Sequence, residues 1–472
     1  MRPTSRCRRR TRAELHERFA GWLSTHDLVE RDEIVGYHIE QAHRYRSELD
    51  PADPSLESLG TRAGRHLAAG GQTALGRGDY NAGRSLLRRA MALFPADESE
   101  GLALVPDLAI AMWEFGELDE ARTLLEAATK ASDPVVSAKA TIVGDIFDVL
   151  TVGSLSAEER TARREEARAV VEAAEDHEGL ALYWWSVAGE RWNLCRAEDA
   201  VAACEQRLFH TARSRASGRT EDLTWWICAA YVNGPTPVEE GIERLVTLQK
   251  ALGDDILLQA GATNALGRLL AMNGDVDRGR EMLVRARETF REAGLHTTAA
   301  GMSLGRYWIE ERAGDFATAE QVLRDGLEEL ERLNDRGFRS TVAASLAIFA
   351  YLRGDLDETR RLCELVREAT AADDLINFVY LHSIEGCLLA EDGRLLEAEQ
   401  EARRALELAD TTDFFFARAR ARLYLAVVLA RAGKDAEATQ RAADGLGVLE
   451  AKGDETGRAW ALAVLEHGGV TS

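Results

Sequence analysis

A chain of 472 residues, 46% of them hydrophobic and only eight of them proline, carries enough apolar material for several cores or for one continuous core. Its net charge of −22, from 80 acidic against 58 basic residues, argues against nonspecific DNA binding by the bulk of the chain. No apolar run of about eighteen residues exists to span a membrane, and no secretory h-region follows the first residues, so a cytoplasmic protein is expected. Its six cysteines contain no C-x-x-C pair and read as small core residues. Ala, Leu, Glu and Arg dominate and no Val/Ile/Thr/Tyr alternation is sustained, which predicts an all-α fold.

The start, Met1 to Arg12, holds six arginines. It reads as a disordered leader, the alternative being contact with nucleic acid or an acidic lipid surface. Leu15, Phe19, Trp22 and Leu23 follow at helical spacing. Ile34, Tyr37, His38, Gln41 and Tyr45 then fall on one face of a second helix that Pro51 and Pro54 close. His38 and His43 are five apart and point in different directions on a helix, so no zinc site is expected there.

A first helix-breaking turn stands at Gly78-Asp79, with Gly71 seven residues before it, Gly83, Leu87 and Ala90 after it, and Pro95 seventeen on. A second is Gly116-Glu117, with Ala121, Leu125 and Ala128. A third is blurred around Gly153, where Ser156 to Glu159 form a capping box that opens a charged helix running through Arg168; its charges read as a solvated face. A fourth is Cys195-Arg196, with Ala200 and Cys204, although Arg207 breaks the small pattern at plus twelve. A fifth lies in Gly234 to Pro237, with its zero at Thr236 and Gly241 and Leu245 after it. Gly274-Asp275, Gly314-Asp315, Gly354-Asp355, Gly393-Arg394 and Gly433-Lys434 then recur at a spacing of about forty residues. The residues five on are Gly279, Ala319, Thr359, Ala398 and Ala438, and the residues twelve on are Ala286, Gly326, Val366, Ala405 and Gly445. Seven residues are two helical turns, so these line one stripe where another helix must approach closely. The last hairpin, through Trp460 and Leu465, ends in a capping helix.

A small residue seven before a Gly-Asp turn, with small ones five and twelve after it, resembles the tetratricopeptide repeat, a helix-turn-helix hairpin of about 34 residues. A period of about forty lengthens each helix to about 17 residues. The resemblance implies a right-handed superhelical solenoid of about ten hairpins, each touching mainly its neighbours, and an elongated particle with a radius of gyration well above roughly 23 Å.

The words RAELHERFAGWL (12–23) and DEIVGYHIEQAHRYRSELDP (32–51), ahead of such an array, resemble the junction of large bacterial signalling proteins. In that family a class III nucleotidyl cyclase domain and a P-loop ATPase precede a tetratricopeptide-like half. The resemblance implies a junction segment over 1–58, with the Arg-rich leader at 1–12, and a repeat array over 59–472. The chain would correspond to the C-terminal half, its start a natural truncation or a misplaced start codon.

No catalytic constellation appears. The one Gly-Lys, Gly433-Lys434, is followed by Asp435 and has Val428 where a P-loop needs its first glycine. Strands to hold a cyclase's metal-binding aspartates are missing, as are His-Glu-x-x-His and Gly-x-Ser-x-Gly. A non-enzymatic interaction and sensor scaffold without cofactor or metal is the first expectation. The alternatives are part of a cyclase or ATP-binding enzyme that lacks its catalytic domains here, or of an ATPase-type transcriptional regulator. Trp184-Trp185 and Trp225-Trp226 lie forty-one residues apart, at the same place in successive repeats. Neighbours on a helix point about 100° apart. In the resembled repeat the first of each pair is a packing position, which assigns Trp184 and Trp225 to the core and Trp185 and Trp226 to the concave groove. With them would stand Gly189, Trp192, Ala230, Asn233, Asn264, Arg268 and Trp308. Aromatic walls, small floors, two amides and one arginine suit a protein or peptide segment, or a small ligand carrying an acid group, with no nucleic acid on the array and no membrane. On the other reading all these tryptophans pack between long helices.

Overall fold

The computed structural model describes residues 3–26, 30–95, 99–150, 155–214 and 221–470, and every regular element among them is an α-helix. A helix that ends and reverses within about three residues needs a left-handed residue, and glycine takes that conformation without a Cβ clash. Gly78, Gly116, Gly274, Gly314, Gly354, Gly393 and Gly433 all do so, with φ between 71° and 92°. At the fourth turn Cys195 adopts φ 52° itself. The aspartate that follows the glycine then opens the next helix: Asp79, Asp315 and Asp355 each accept from a backbone N–H three residues on. The helices so delimited include Ile256–Met272, Val276–Glu292, Phe316–Arg332, Leu375–Glu391 and Phe415–Arg431, each of 17 residues. The small stripe brings backbones together. A Cβ on Gly279 would stand 2.6 Å from the carbonyl oxygen of Gly267 in the preceding helix.

The chain forms two compact units. The first comprises Met1–Gly144, Glu165–Gly179 and Thr211–Arg219. Here the helices Pro3–Leu23 and Arg31–Leu49 pack as a hairpin and lead into Leu56–Gly76. The boundary expected at residue 58 therefore falls inside a helix. The leader expected to be disordered is helical from Pro3, because arginine is a good helix former and acids lie within reach: Arg9 pairs with Glu48 at 2.8 Å and Arg10 with Glu14 at 3.1 Å. On Arg31–Leu49 the buried stripe is Val35, Gly36, Ile39 and Ala42, not the face of Tyr37 and Gln41. A close approach decides this: a Cβ on Gly36 would stand 3.0 Å from the Leu67 backbone nitrogen. The blurred turn near Gly153 lies outside the described residues.

The second unit comprises Asp145–Arg164, Leu180–His210 and Thr220–Ser472. One apolar cluster runs through it from Cys195 to Val470, and the capping helix Glu455–His467 ends it. Five of the six cysteines are buried and Cys7 is exposed. The capping box at Ser156 is present, with Ser156 N–H donating to Glu159 at 2.9 Å and Glu159 N–H to Ser156 at 3.2 Å. The charged helix Ala157–Ala173 is not solvated throughout. Arg160 and Arg164, four apart on its inner face, are buried against Asp145, Asp373 and Glu190, so these acids supply the counter-charge that water would have given.

Neighbour-only contact does not hold within this unit. The Asp413 carboxylate accepts from the N–H groups of Ala197 and Glu198 at 2.7 and 3.0 Å. Lys452 donates to the carbonyls of Tyr231, Gly234 and Thr236, and Thr456 to that of Ala271. The unit's early and late hairpins are thus joined across more than 180 residues of sequence. No described helix is long and apolar enough to cross a membrane.

Candidate functional site

Four helices of the second unit carry the residues singled out in the sequence: His177–Asn193, Glu221–Asn233, Ile256–Met272 and Ser303–Arg312. Glu221–Asn233 packs on Ile256–Met272 and that helix on Ser303–Arg312, so residues about 35 to 40 apart in sequence meet. The Trp192 and Trp226 rings stack with centroids 6.3 Å apart. Trp226 also covers Gly189, where a Cβ would stand 3.0 Å from its Cη2. Seven residues further along the same helix, Asn233 Oδ1 accepts from Arg268 Nη2 at 3.1 Å, and Asn233 Nδ2 donates to Ala229 O at 2.9 Å. The Arg268 guanidinium lies 5.0 Å from the Trp308 ring centroid, and that of Arg312 lies 3.3 Å from it. Asn264 joins this group through Gly305, where a Cβ would stand 3.4 Å from Arg268 Cδ and 3.5 Å from Asn264 Oδ1.

The structure thus gathers Trp192, Trp226, Asn233, Asn264, Arg268 and Trp308 along one path and leaves Trp185 off it. Trp185 is 3% exposed and packs beneath Arg207, 4.6 Å from its ring centroid. Arg207 is the plus-twelve residue that broke the small pattern, and the long side chain there is what Trp185 covers. The order within the pair also differs from the sequence reading, since Trp184 is half-buried and Trp185 buried; the Trp225 side chain lies outside the described residues. Trp226, at 9% exposed, is buried as well. Aromatic residues of the late hairpins fill the aromatic walls: Phe414 stands 4.9 Å from Trp192 and Phe415 6.4 Å from Trp308, ring centre to ring centre.

Beside this path lies an ion network that periodicity alone did not reveal. Arg312 holds Asp454 through two nitrogens, at 3.1 and 2.7 Å to one oxygen and 3.3 Å to the other. Arg420 Nη2 donates to Glu311 at 2.6 Å. Burial, the largest influence, opposes the charge on Arg420, but Glu311 together with Tyr380, Tyr307 and Tyr424 outweighs it and holds its pKa up. Burial pushes Lys452 down to about 7 although Asp454 raises it, and its three carbonyl acceptors take up all three N–H groups of an ammonium. Burial pushes Arg268 down to about 10. One sequence signal was available: Lys452 is one of only five lysines in the chain.

Residues 74–140 match the family model described as tetratricopeptide repeat. The fold is a tetratricopeptide-type helical repeat array. No curated protein matches the chain. Solved structures of similar fold include the anaphase-promoting-complex hetero-tetramer Cut9-Hcn1, at 12% identity and TM-score 0.42 over 93% of this chain and 83% of that one. A Rap protein complexed with competence and sporulation factor is 12% identical with TM-score 0.45, over 72% of this chain and 99% of that one. The human IFIT1 dimer with m7Gppp-AAAA is 13% identical with TM-score 0.41, over 93% and 94%.

Elsewhere in the array, among the described residues, His382, Glu385 and Glu401 each offer a ligand atom within 4.8 Å of the others. His382 is already bonded to Glu401 at 2.7 Å and Glu385 to Arg367, so the array's own side chains complete the group. Burial lowers the His382 pKa. Burial likewise raises the thiols of Cys363 and Cys387, to about 11 and about 12, which leaves both protonated at neutral pH.

Proposed function

We propose that the chain is a non-catalytic interaction and sensor scaffold, the regulatory repeat portion of a cyclase/ATPase-type signalling protein. Its second unit takes a peptide segment or a small acidic ligand along Trp192, Trp226, Asn233, Asn264, Arg268 and Trp308. The observation that carries this reading is the convergence of aromatic, amide and guanidinium groups from four helices, one in each of four successive hairpins, on one path. Aromatic faces supply contact area at small entropic cost, and amides and guanidinium fix a polar backbone or an acid group. An occupant competes with Phe414 and Phe415 for the aromatic walls. The words of residues 12–51 support the signalling context.

The test is selection of a peptide-display library on the purified protein. Peptides should be enriched whose binding falls at least tenfold in Trp192→Ala and in Asn264→Ala, with the fold of both variants checked by circular dichroism. Peptides that bind wild type and variants alike, or none enriched at all, would remove the second unit's interior as the binding face.

A further inference from the structure

Several buried cations of the second unit have their counter-groups built in. Arg160 and Arg164 have Asp145, Asp373 and Glu190; Arg312 has Asp454; Arg420 has Glu311; Lys452 has three carbonyls. Arg268, half-buried with its Nε shut off from water, differs from these. Among the described residues no carboxylate lies within ion-pair distance of it; it meets a neutral amide at one nitrogen and an aromatic face, and its Nε, buried from water, has no hydrogen-bond partner. A guanidinium taken from water without a counter-charge is unfavourable, and burial indeed pushes its pKa down. Next to it stands a second unmatched group of opposite polarity. Asn264 is 6% exposed and its Oδ1, an acceptor, has no donor. Gly305 lies against both: a Cβ there would stand 3.4 Å from Arg268 Cδ and 3.5 Å from Asn264 Oδ1.

We propose that Arg268 and Asn264 form a site for one small carboxylate that carries an N–H or O–H donor on the adjacent carbon, as in a 2-hydroxy acid or an N-acylamino acid. This deepens the acid-ligand reading above and rests on it. The carboxylate supplies the single negative charge that Arg268 lacks and matches the planar fork of a guanidinium. Its neighbouring donor satisfies Asn264 Oδ1, which a bare carboxylate cannot do. A dianionic phosphate fits less well, because its second charge would be added near Glu311 and Asp454, which already balance Arg420 and Arg312.

The test has a ligand-free and a ligand-bound arm, both read by thermal melting of the full chain. Without ligand, Arg268→Met should melt as high as wild type or higher, since it removes an uncompensated charge, whereas Arg312→Met should melt lower by many degrees. An Arg268→Met protein that melts as low as Arg312→Met makes Arg268 a structural residue and overturns the proposal. With millimolar glycolate or N-acetylglycine, wild type should gain at least two degrees and Arg268→Met none. Acetate, without the donor, should give less than half the glycolate shift on wild type, and Asn264→Leu should abolish that difference. Equal shifts in wild type and Arg268→Met, a shift with N-acetylglycinamide as large as with the acid, or no shift with either acid would each overturn it. A display-selected peptide that still binds Arg268→Met keeps the binding scaffold and removes only this ligand class.

Discussion

Arg65 with Glu100 in the first unit and Arg312 with Asp454 in the second are the same chemical object, a guanidinium holding a carboxylate through two nitrogens. Their settings are opposite. The first pair is 59% and 43% exposed and joins residues 35 apart; the second is 1% and 0% exposed and joins residues 142 apart. In the first unit the ions trim the edges of hairpins that apolar small-residue packing already holds. In the second, besides exposed pairs such as Arg394 with Glu397, buried ones such as Arg312 with Asp454 and Arg420 with Glu311 stand where distant hairpins meet, and each depends on its partner being there. Sequence distance bridged, more than ion-pair geometry, separates the two.

Four measurements break or sharpen this contrast. The largest effect is expected from removing Trp185 and Trp226 together in the second unit. Both are buried, so each truncation should cost roughly 3–5 kcal/mol in urea denaturation, whereas Trp22→Ala in the first unit, 54% exposed, should cost little. A double variant as stable as wild type would return both tryptophans to an open groove. Next, Arg312→Ala should cost about 3–5 kcal/mol because it strands Asp454 in a dry interior, and Arg65→Ala less than about 1 kcal/mol. Equal losses would dissolve the distinction.

Third, Gly279→Ala should cost about 1–3 kcal/mol, since the new methyl meets the Gly267 carbonyl oxygen of another helix. Gly83→Ala in the first unit meets the Leu75 side chain first and the Gly71 carbonyl oxygen only at 3.3 Å, so its loss should be smaller. The same cost at both positions would show backbone and side-chain neighbours to be equally unyielding. The fourth is a pH effect confined to the second unit. Burial, with Asp373 beside it, raises the Asp374 carboxyl to about 7 in the folded chain, against an ordinary value near 3.8. Its folded form therefore holds a proton that the unfolded chain releases. This contribution is complete below about pH 4 and is lost as pH rises through 7. Asp374→Asn should flatten that slope in melting curves taken from pH 4 to pH 8; an unchanged slope would assign it to another group.

The turns were the most legible part of the fold, because a left-handed residue leaves a glycine behind: seven of the glycine turns read from sequence have positive φ, although Gly234 does not. Even Cys195, chosen only by its spacing, takes φ 52°. Helix length and the small stripe followed from the period. Of the site residues, those at equal positions one repeat apart were legible together, and Arg268 beside Trp308 is such a case; Trp192, three before its turn, stacks instead on Trp226, ten before the next. Trp185 misled because its partner, Arg207, breaks the pattern. The joining of distant hairpins was not legible at all. Asp413 over the Ala197 helix and Lys452 over the carbonyls of Tyr231, Gly234 and Thr236 obey no period, and a local reading has no term for contacts made once.

The three carbonyls that hold Lys452 also bear on how such a chain can change over generations. An open array lengthens by copying a hairpin, because a new unit finds the same two faces wherever it lands. Here an inserted hairpin between Thr236 and Lys452 would carry the ammonium past its acceptors and separate Asp413 from the Ala197 helix together with it. Duplications inside that span are therefore expected to be purged, while those before Asp145 meet no such barrier. The number of hairpins in the second unit is fixed by a single lysine finding its place.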